Sequence, residues 1–417
     1  MKLLISHPTG NTFVRALIEY SHNIGVLDSF HTTIAYRDGH WTNRLVPGKI
    51  RTQLKRRGYP VPDNMIRRHP FRETVRLLAS KLGLAPLTRH GEGWASMDEV
   101  YRELDLKTAA TLANSDASHL HCYEDGALAS FKEGRERGLH LSYELPIAYW
   151  KKMHTLLAHE AERLPHWAPT LITTGDSPEK LDRKDKELEL ADTVVVPSQF
   201  VMDSLPQKIL TGKRCVRAPF GTPQTDLENI KHPTSTNGRV RFLFAGSMGQ
   251  RKGLGDVLLA FSNIQRKDVE LVVMGTPMME MEFYRKEFSE FIYEPPRSHA
   301  QVLELMQSCH VLVLPSIVEG RALVQQEAMS QGMALLVTPN AGGEDLVKEG
   351  ITGFLVQAGN PRELVEKIEW FADHPETTQE MGQNAKSLAC DYSWEKYAIK
   401  ILNGIEGNGR KAIDSLP

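Results

Sequence analysis

The sequence predicts an α/β protein with two domains, each built on a parallel β-sheet. Short apolar runs alternate with charged helical stretches along the chain, which is the pattern of βαβ units. A polar segment at 219–238, with three prolines and no apolar periodicity, separates two such series. The length of 417 residues is sufficient for two full-sized cores. We therefore expect two Rossmann-like β/α/β domains that face each other across a cleft.

The N-terminal domain is predicted to span residues 1–218. Its first strand, KLLIS at 2–6, precedes a turn and a helix at 12–22. A second strand is expected at 31–35 and an amphipathic helix at 71–82. The segment HLHCYED at 119–125 is expected to hold a strand end, and apolar runs at 139–143 and 193–196 predict two further strands.

The C-terminal domain is predicted to span residues 239–390, after a linker at 219–238. Apolar runs predict five strands, at 240–245, 269–274, 311–314, 334–337 and 353–356. Helices are expected between them, at 256–264, 301–308, 323–331 and 361–374. A last helix within 391–417 has Trp394, Tyr397, Ile401 and Ile405 on one face, so we expect it to cross back to the N-terminal domain.

Composition and charge exclude several classes of protein. The formal net charge of −2 argues against a nucleic-acid binder. Four scattered cysteines without a CxxC pair fit reduced thiols, not a disulfide framework or a zinc site. The first apolar stretch is too short for a signal peptide, and no apolar run approaches the ~20 residues that span a bilayer. We expect a cytoplasmic protein.

The residues at 44–89 form a strongly basic stretch, with twelve Lys or Arg against two acids, a net of +10. Val75, Leu78 and Leu82 make an apolar stripe beside some of these cations, as in a helix that lies at a membrane surface. Three interpretations are open. The stripe is buried in the core beneath a solvated basic face, the stretch contacts an anionic membrane, or it docks an anionic polysaccharide.

The loop GSMGQRKG follows the predicted strand at 240–245 and precedes a helix. Free backbone N–H groups and a helix dipole occur at such a position, and Arg251 and Lys252 add positive charge where a diphosphate would bind. A solvated turn is the alternative for such a short motif.

Two carboxylates, Glu319 and Glu327, are eight residues apart after the strand at 311–314. Glu319 is expected in the loop before a helix and Glu327 about two turns into it. Spaced carboxylates can accept hydrogen bonds from a sugar and from a ribose diol. The N–H groups around Leu323 and Val324, in the first turn, are placed for a phosphate. The alternative is an ordinary loop acid and an exposed helix acid.

Taken together, these motifs resemble the nucleotide-binding domain of GT-B glycosyltransferases, in particular the retaining family 4. The matching segments are FAGSMGQRKGLGDVLLAF, EGRALVQQE, ALLVTPNAGGEDLVKEGITGFLV and YSWEKYAIKIL, in the family's order over about 160 residues. ADTVVVPSQFVMDSL resembles the strand that enters the family's linker. The resemblance implies the GT-B fold, with the donor in the C-terminal domain and the acceptor in the N-terminal domain.

The resemblance also implies site residues. Lys252 would bind the donor diphosphate with Arg251, Glu319 would meet the transferred sugar, and Glu327 would bind the ribose. Gly10, in HPTGN, would approach the donor phosphates from the N-terminal domain. Two positions depart from the family pattern. Ser247 stands where a basic residue is usual, and EGRA replaces EGFG, which places Arg321 where an aromatic ring is usual.

His121, at the end of the predicted strand in HLHCYED, is the candidate for contact with the donor sugar by the same resemblance. Tyr123, Glu124 or Asp125 could occupy this place instead, and a structural histidine is a further alternative. Alternation along a strand places His119, His121 and Tyr123 on one face.

The expected activity is transfer of a sugar from a nucleotide sugar, such as a UDP-, GDP- or ADP-sugar, to a saccharide or lipid-linked acceptor with retention of configuration. Asp-x-Asp does not occur in the sequence, so no metal and no further cofactor are expected. The partners are the donor and the acceptor, with an anionic membrane contact through 44–89 as an open option. Two alternatives are a sugar-nucleotide epimerase and a non-catalytic GT-B subunit.

Overall fold

A computed structural model of the chain describes residues 1–37, 54–171, 175–223 and 239–407. The N-terminal half contains a parallel sheet of seven strands in the order β3-β2-β1-β4-β5-β6-β7. Its strands are β1 (Leu3–Ser6), β2 (Leu27–Thr32), β3 (Ile66–Arg68), β4 (His119–Tyr123), β5 (His140–Glu144), β6 (Thr193–Val196) and β7 (Arg214–Arg217). The order reverses direction at β1, and the loops after β1 and β4 therefore flank a crevice.

The C-terminal half contains a second parallel sheet, with six strands in the order β10-β9-β8-β11-β12-β13. Its strands are β8 (Val240–Ala245), β9 (Val269–Met274), β10 (Ile292–Glu294), β11 (Val311–Leu314), β12 (Ala334–Val337) and β13 (Gly353–Leu355). The crevice of this sheet lies between the loops after β8 and β11. The two parallel sheets confirm the predicted fold class.

Helices connect the strands of both sheets. In the N-terminal half they are α1 (Thr12–Asn23), α2 (Phe71–Lys81), α3 (Ala85–Thr88), α4 (Met97–Thr111), α5 (Leu128–Glu136), α6 (Trp150–Arg163), α7 (Pro178–Leu190), α8 (Gln199–Ser204) and α9 (Gln207–Leu210). In the C-terminal half they are α10 (Leu254–Ser262), α11 (Met281–Glu287), α12 (His299–Met306), α13 (Leu323–Ser330), α14 (Pro361–Asp373), α15 (Pro375–Ala389) and α16 (Trp394–Glu406). Each helix of the described ranges is too short or too polar to cross a bilayer.

The strands predicted in the C-terminal half match the structure to within one residue, but the second predicted strand is wrong. The sequence suggested 31–35, whereas β2 ends at Thr32 and begins at Leu27 beside Leu3 of β1. The polar residues Asp28 and Ser29 concealed its beginning. Their side chains are satisfied inside the protein, because the Asp28 carboxylate accepts hydrogen bonds from the hydroxyls of Ser29 and Ser115, both at 3.0 Å.

Three apolar clusters hold the molecule together. One fills the C-terminal domain around β8, β11 and β12, and a second lies between β4–β6 and their helices. The third cluster combines β1 and α1 with the last helix, α16, so that Tyr397, Ile401 and Ile405 pack beside Phe13 and Leu17. The last helix thus packs on the N-terminal domain, although it follows the C-terminal domain in sequence.

The chain passes between the two domains at two places that lie side by side. The backbone N–H of Thr222 donates to the carbonyl of Tyr392 at 2.9 Å. A Cβ on Gly221 would overlap the backbone nitrogen and ring of Trp394, so the first crossing needs glycine here. Most of the predicted linker, 224–238, lies outside the described residues.

Candidate functional site

The loop after β8 is shaped by two glycines. Gly246 has φ 152° and Gly253 has φ 79°, and a single 3-10 turn, Gln250–Lys252, lies between them. A Cβ on Gly246 would come within 2.6 Å of Cδ of Lys252. The aliphatic part of the Lys252 side chain therefore lies directly on the Gly246 backbone, which directs its ammonium group toward the loop after β11.

Glu319, in the loop after β11, forms ion pairs with both cations of this turn, Arg251 and Lys252. Its Oε1 atom lies 2.8 Å from Nζ of Lys252 and 2.9 Å from Nη1 of Arg251. Burial acts to raise the pKa of the Glu319 carboxyl, but the two cations outweigh burial and the pKa is lowered. The structure thus brings three predicted site residues together in one half-enclosed ion cluster.

The first turn of α13 lies at the boundary between the domains. Leu323 packs on the cluster that contains Phe13 of α1, whereas Val324 packs on the C-terminal core. Helix α1 begins at Thr12, and the side chain of Asn11 caps it by accepting from Val14 N at 3.2 Å. Leu323, at the start of α13, therefore packs against the apolar cluster that also contains the first turn of α1.

Gly10 precedes this cap and faces the ring of Tyr59. A Cβ on Gly10 would lie 2.8 Å from the Tyr59 hydroxyl oxygen, which itself lies 3.1 Å from Oγ1 of Thr32. Only a glycine fits between this ring and the loop backbone. The position of Gly10 beside the first turn of α1 agrees with an approach to an anion, and its contact with donor phosphates stays a prediction.

Glu327 lies in the second turn of α13 and is paired with a histidine of α12. Its Oε1 atom is 3.0 Å from Nε2 of His299. The carboxylate is one-fifth exposed, whereas the histidine is largely exposed. The contact of Glu327 with a ribose stays a prediction.

The side chain of Arg321 is buried between α13 and the chain crossings. It donates to Asp345 Oδ1 at 2.6 Å and to Gln326 Oε1 at 3.0 Å, and its guanidinium lies 5.2 Å from the ring centre of Tyr392. Gln326 in turn donates to the carbonyl of Phe220 at 2.5 Å. Arg321 and Gln326 therefore connect α13 to both chain crossings.

His121 is 1% exposed, and both of its ring nitrogens face protein groups. Nδ1 lies 2.9 Å from Oγ of Ser142, and Nε2 lies 3.4 Å from Oε2 of Glu144. The other oxygen of Glu144 accepts from the hydroxyl of Tyr397 at 2.7 Å. The prediction that His121 contacts a donor sugar is untested, and in this structure the histidine contacts Glu144 and Ser142.

The three alternatives to His121 lie in different surroundings. Tyr123 packs against His7, with the ring centres 4.4 Å apart. Glu124 lies 3.4 Å from Nζ of Lys184, and burial raises the pKa of the Glu124 carboxyl to about 7. Asp125 has φ 70° and lies between two lysines of α7. These acids belong to a charge cluster that the sequence patterns did not reveal.

The two domains meet closely beside Glu319. A Cβ on Gly320 would overlap the carbonyl of Pro146, which follows β5 in the N-terminal domain. The Gly320 carbonyl accepts from the hydroxyl of Ser198 at 2.6 Å. The loop that carries Glu319 is therefore held against the N-terminal domain by backbone contact on one side and by a serine on the other.

The C-terminal half of the chain resembles a known protein family. Residues 226–388 match the model described as Glycosyl transferases group 1. The chain is 24% identical over 325 residues to the D-inositol 3-phosphate glycosyltransferase of Paenarthrobacter aurescens, an alignment that covers 72% of this chain and 74% of that protein. It is 28% identical to an uncharacterized glycosyltransferase of Methanocaldococcus jannaschii, over 38% of this chain and 46% of that protein.

Solved structures match almost the whole chain. Sucrose-phosphate synthase from Thermosynechococcus elongatus has a TM-score of 0.64 at 16% identity and covers 98% of this chain and 99% of its own. Anabaena HepE in complex with UDP has a TM-score of 0.60 at 15% identity, over 98% of this chain and all of its own. The chain has the GT-B fold. The group 1 match in the C-terminal half supports a GT-B glycosyltransferase.

In this GT-B chain, the residues that sequence patterns missed lie mostly in the N-terminal domain. Glu144 and Ser142 contact His121, and Tyr397 donates to Glu144, although Glu144 and Tyr397 are separated by 253 positions. No spacing rule connects residues so far apart, although the acid at the end of the strand 140–144 is a detectable signal. Within the described ranges, no group of three or more His, Cys, Asp or Glu side chains is arranged to hold a metal ion.

Proposed function

We propose that the chain is a glycosyltransferase that moves a sugar from a nucleotide-sugar donor to a saccharide or lipid-linked acceptor. The observation that carries this proposal is the ion cluster, in which Arg251 and Lys252 share one oxygen of Glu319. Two cations on a short turn, beside the beginning of a helix, suit a diphosphate. The cluster also lies in the segment that matches the glycosyltransferase group 1 model.

When the donor binds, its diphosphate replaces the Glu319 carboxylate as the partner of the two cations. The diphosphate takes Lys252 and Arg251, with N–H groups of Leu323 and Val324 at the start of α13 as further donors. Glu319 is thereby released from the cations and accepts hydrogen bonds from sugar hydroxyls. Glu327 binds the ribose, and Gly10 allows the N-terminal loop to approach the phosphates closely.

Catalysis in this proposal is electrostatic. As the bond from the sugar to the diphosphate breaks, negative charge grows on the leaving group, and the preorganised cations stabilise it. Glu319 stabilises the positive charge that develops on the sugar. We assign no nucleophile, and retention of configuration follows from a front-face reaction in which the departing phosphate takes the acceptor's proton, as the resemblance to family 4 implies.

A UDP-sugar is the first donor to test, because structural neighbours include HepE with UDP and with UDP-glucose. The chain would be incubated with UDP-, GDP- and ADP-sugars, and products would be followed by chromatography and by NMR of the anomeric proton. Release of UDP with an α-linked product supports a retaining transferase. An epimerised nucleotide sugar identifies an epimerase, and binding without turnover identifies a non-catalytic subunit.

Metal independence belongs to the same proposal. The two cations and the helix N–H groups balance the charge of the leaving diphosphate without Mg²⁺. The assay would therefore be repeated in excess EDTA after dialysis. Unchanged turnover is expected, whereas a loss that added Mg²⁺ restores would contradict this part of the proposal.

We further propose that this is a peripheral protein of the cytoplasmic membrane face, which binds anionic lipid through α2, α3 and their flanking loops. Large apolar side chains are exposed here, with Leu82 72% exposed and Leu78 54% exposed, so the stripe is not buried in the core. Phe71, Leu84, Leu87 and Trp94 are exposed beside it.

The same region also exposes positive charge. Among its described residues, the exposed cations are Lys55, Arg56, Arg67, Lys81 and Arg89. Apolar side chains surrounded by cations suit an anionic bilayer surface. Residues 44–53 of the basic stretch lie outside the described part.

Co-sedimentation with vesicles of graded phosphatidylserine content, at low and high salt, tests this contact. We expect salt-sensitive binding that Leu82→Glu abolishes. Ile351→Glu is the matched control, because Ile351 is 51% exposed on the C-terminal domain. Absence of binding at every lipid composition would contradict the proposal and leave a soluble acceptor. Binding of an anionic polysaccharide in place of vesicles would favour the polysaccharide interpretation.

A further inference from the structure

Three buried side chains connect the last helix to the N-terminal sheet. The hydroxyl of Tyr397, on α16, donates to Oε1 of Glu144 at 2.7 Å. The other carboxylate oxygen, Oε2, lies 3.4 Å from Nε2 of His121. Nδ1 of the same ring lies 2.9 Å from Oγ of Ser142, and this hydroxyl donates to the carbonyl of Leu120 at 3.2 Å. The exposed fractions of Tyr397, His121 and Glu144 are 1%, 1% and 3%, so water does not compete for these contacts.

Glu144 also stands at the start of the segment that meets the donor loop. It ends β5, and two residues later the carbonyl of Pro146 abuts Gly320, the neighbour of Glu319. The backbone carbonyl of Glu144 accepts from the N–H of Glu124 at 3.1 Å, which joins the ends of β4 and β5. A shift of Glu144 would therefore move both His121 and the surface on which the Glu319 loop rests.

We propose that Tyr397 is a positioning residue for sugar transfer: its hydroxyl holds Glu144, and Glu144 fixes His121 and the 145–147 segment against the loop that carries Glu319. This inference rests on the proposed function. It assigns a role in the reaction to the helix that follows the donor domain and packs on the acceptor domain.

The ring and the hydroxyl of Tyr397 make separate contributions. The ring packs beside those of Phe13, Phe220 and Trp394, with centre distances of 6.4, 5.8 and 5.9 Å. Phenylalanine keeps these contacts and removes the hydrogen bond. Tyr397→Phe therefore tests the hydroxyl with little change in the packing of α16.

The electrostatic surroundings of Glu144 predict a change in pH dependence. The titratable groups that face its carboxylate are His121 of β4, His7 of the loop after β1, Tyr123 at the end of β4 and Tyr397 of α16. Burial raises the pKa of Glu144, but His121, His7 and Tyr397 outweigh burial and lower it. Loss of the Tyr397 hydroxyl removes one of these lowering effects, so the pKa of Glu144 rises toward its usual value.

The experiment compares the wild-type chain with Tyr397→Phe in the donor assay across pH. We expect kcat to fall about tenfold with KM for the donor nearly unchanged, and the acid limb of the kcat profile to move to higher pH. Tyr149→Phe is the matched control. It removes a Tyr–carboxylate hydrogen bond of equal length, 2.7 Å to Asp185, in the same domain. The Asp185 carboxylate keeps its contacts with Trp150 and Lys151.

The outcomes separate the inference from the proposed function. A wild-type chain that turns over no sugar nucleotide contradicts the proposed function, and with it the role of Tyr397. An active wild type with unchanged kcat and pH profile in Tyr397→Phe contradicts the inference alone. Equal losses in Tyr397→Phe and Tyr149→Phe, without a pH shift, would show general destabilisation and also overturn it.

Discussion

At the scale of single residues, the most informative atom is Oε1 of Glu319. It forms ion pairs with both Arg251 and Lys252, so the cations proposed for the diphosphate already have an internal anion. A donor therefore competes with a carboxylate that cannot diffuse away. Affinity for the donor is the difference between two ionic interactions, and it responds to changes in either.

Glu319→Gln should tighten the binding of UDP while it lowers kcat. The neutral amide holds Lys252 and Arg251 less strongly than a carboxylate, so the diphosphate meets less competition. The same change removes the charge that stabilises the sugar in the transition state. Calorimetry with UDP and steady-state kinetics measure the two effects.

Glu327→Gln is the comparison for that variant. It is expected to weaken UDP binding with little change in kcat, since ribose contacts are the same in the ground and transition states. If both variants only raised KM, the assignment of Glu319 to the sugar would be wrong.

Lys252→Met should lower kcat/KM. The expected loss of transition-state stabilisation is about 3 kcal/mol, as for the loss of other charge-stabilising donors. Methionine keeps an aliphatic chain on the Gly246 backbone, where the Lys252 stem lies. The thermal midpoint should therefore stay close to that of the wild type. Lys286→Met is the control, because Lys286 is largely exposed and pairs with Glu282 within one helix. Unchanged turnover in Lys252→Met would remove the diphosphate assignment.

At the scale of elements, the best predictions concerned the buried strands. The runs at 240–245 and 311–314 are apolar except for Arg241, because parallel strands covered on both faces are mostly in contact with other apolar groups. By contrast, β7 and β10 are edge strands with charged or polar residues, and the sequence did not predict them. β2 was misplaced because its polar residues are satisfied by hydrogen bonds that only the folded chain provides.

The ion cluster could be predicted because all of its residues follow strands of one domain in a recognisable order. The contacts of His121 could not. They involve Ser142 and Glu144 from the next strand, and Glu144 is in turn bonded to Tyr397 from the far end of the chain. The burial of Arg321 could not be predicted either. Its acceptors, Gln326 and Asp345, come together around the guanidinium only when α13 packs against the chain crossings.

Gly404, in the last turn of α16, gives a prediction that runs against helix propensity. Alanine should stabilise a helix by as much as about 1 kcal/mol over glycine. A Cβ on Gly404 would, however, overlap the side chain of Val216 on β7. We expect Gly404→Ala to destabilise the protein by about 1–3 kcal/mol in chemical denaturation.

Val216→Ala should restore part of this loss in the double variant, because it removes the methyl groups that the new Cβ meets. A Gly404→Ala chain more stable than the wild type would show that α16 is not held this closely to β7.

At the scale of the whole molecule, the contact between Gly320 and Pro146 determines how closely the domains approach. Gly320→Ala places a methyl group against the Pro146 carbonyl and should force the domains apart. The C-terminal domain is otherwise untouched, so UDP binding should persist in calorimetry while turnover falls by at least tenfold. Small-angle scattering should show a larger radius of gyration. Full activity in Gly320→Ala would mean that this contact is dispensable.

The two chain crossings are adjacent, joined by the bond from Thr222 to Tyr392 and by the close approach of Gly221 to Trp394. The domains also meet away from these crossings. Thr170 Oγ1 accepts from the N–H of Gln250 at 2.9 Å, Arg163 donates to Asp256 at 2.7 Å, and Trp167 packs in the apolar cluster of the C-terminal domain. The domains are therefore joined by side-chain contacts as well as by the chain itself, and a motion that separates Gly320 from Pro146 would have to break these contacts or carry them along.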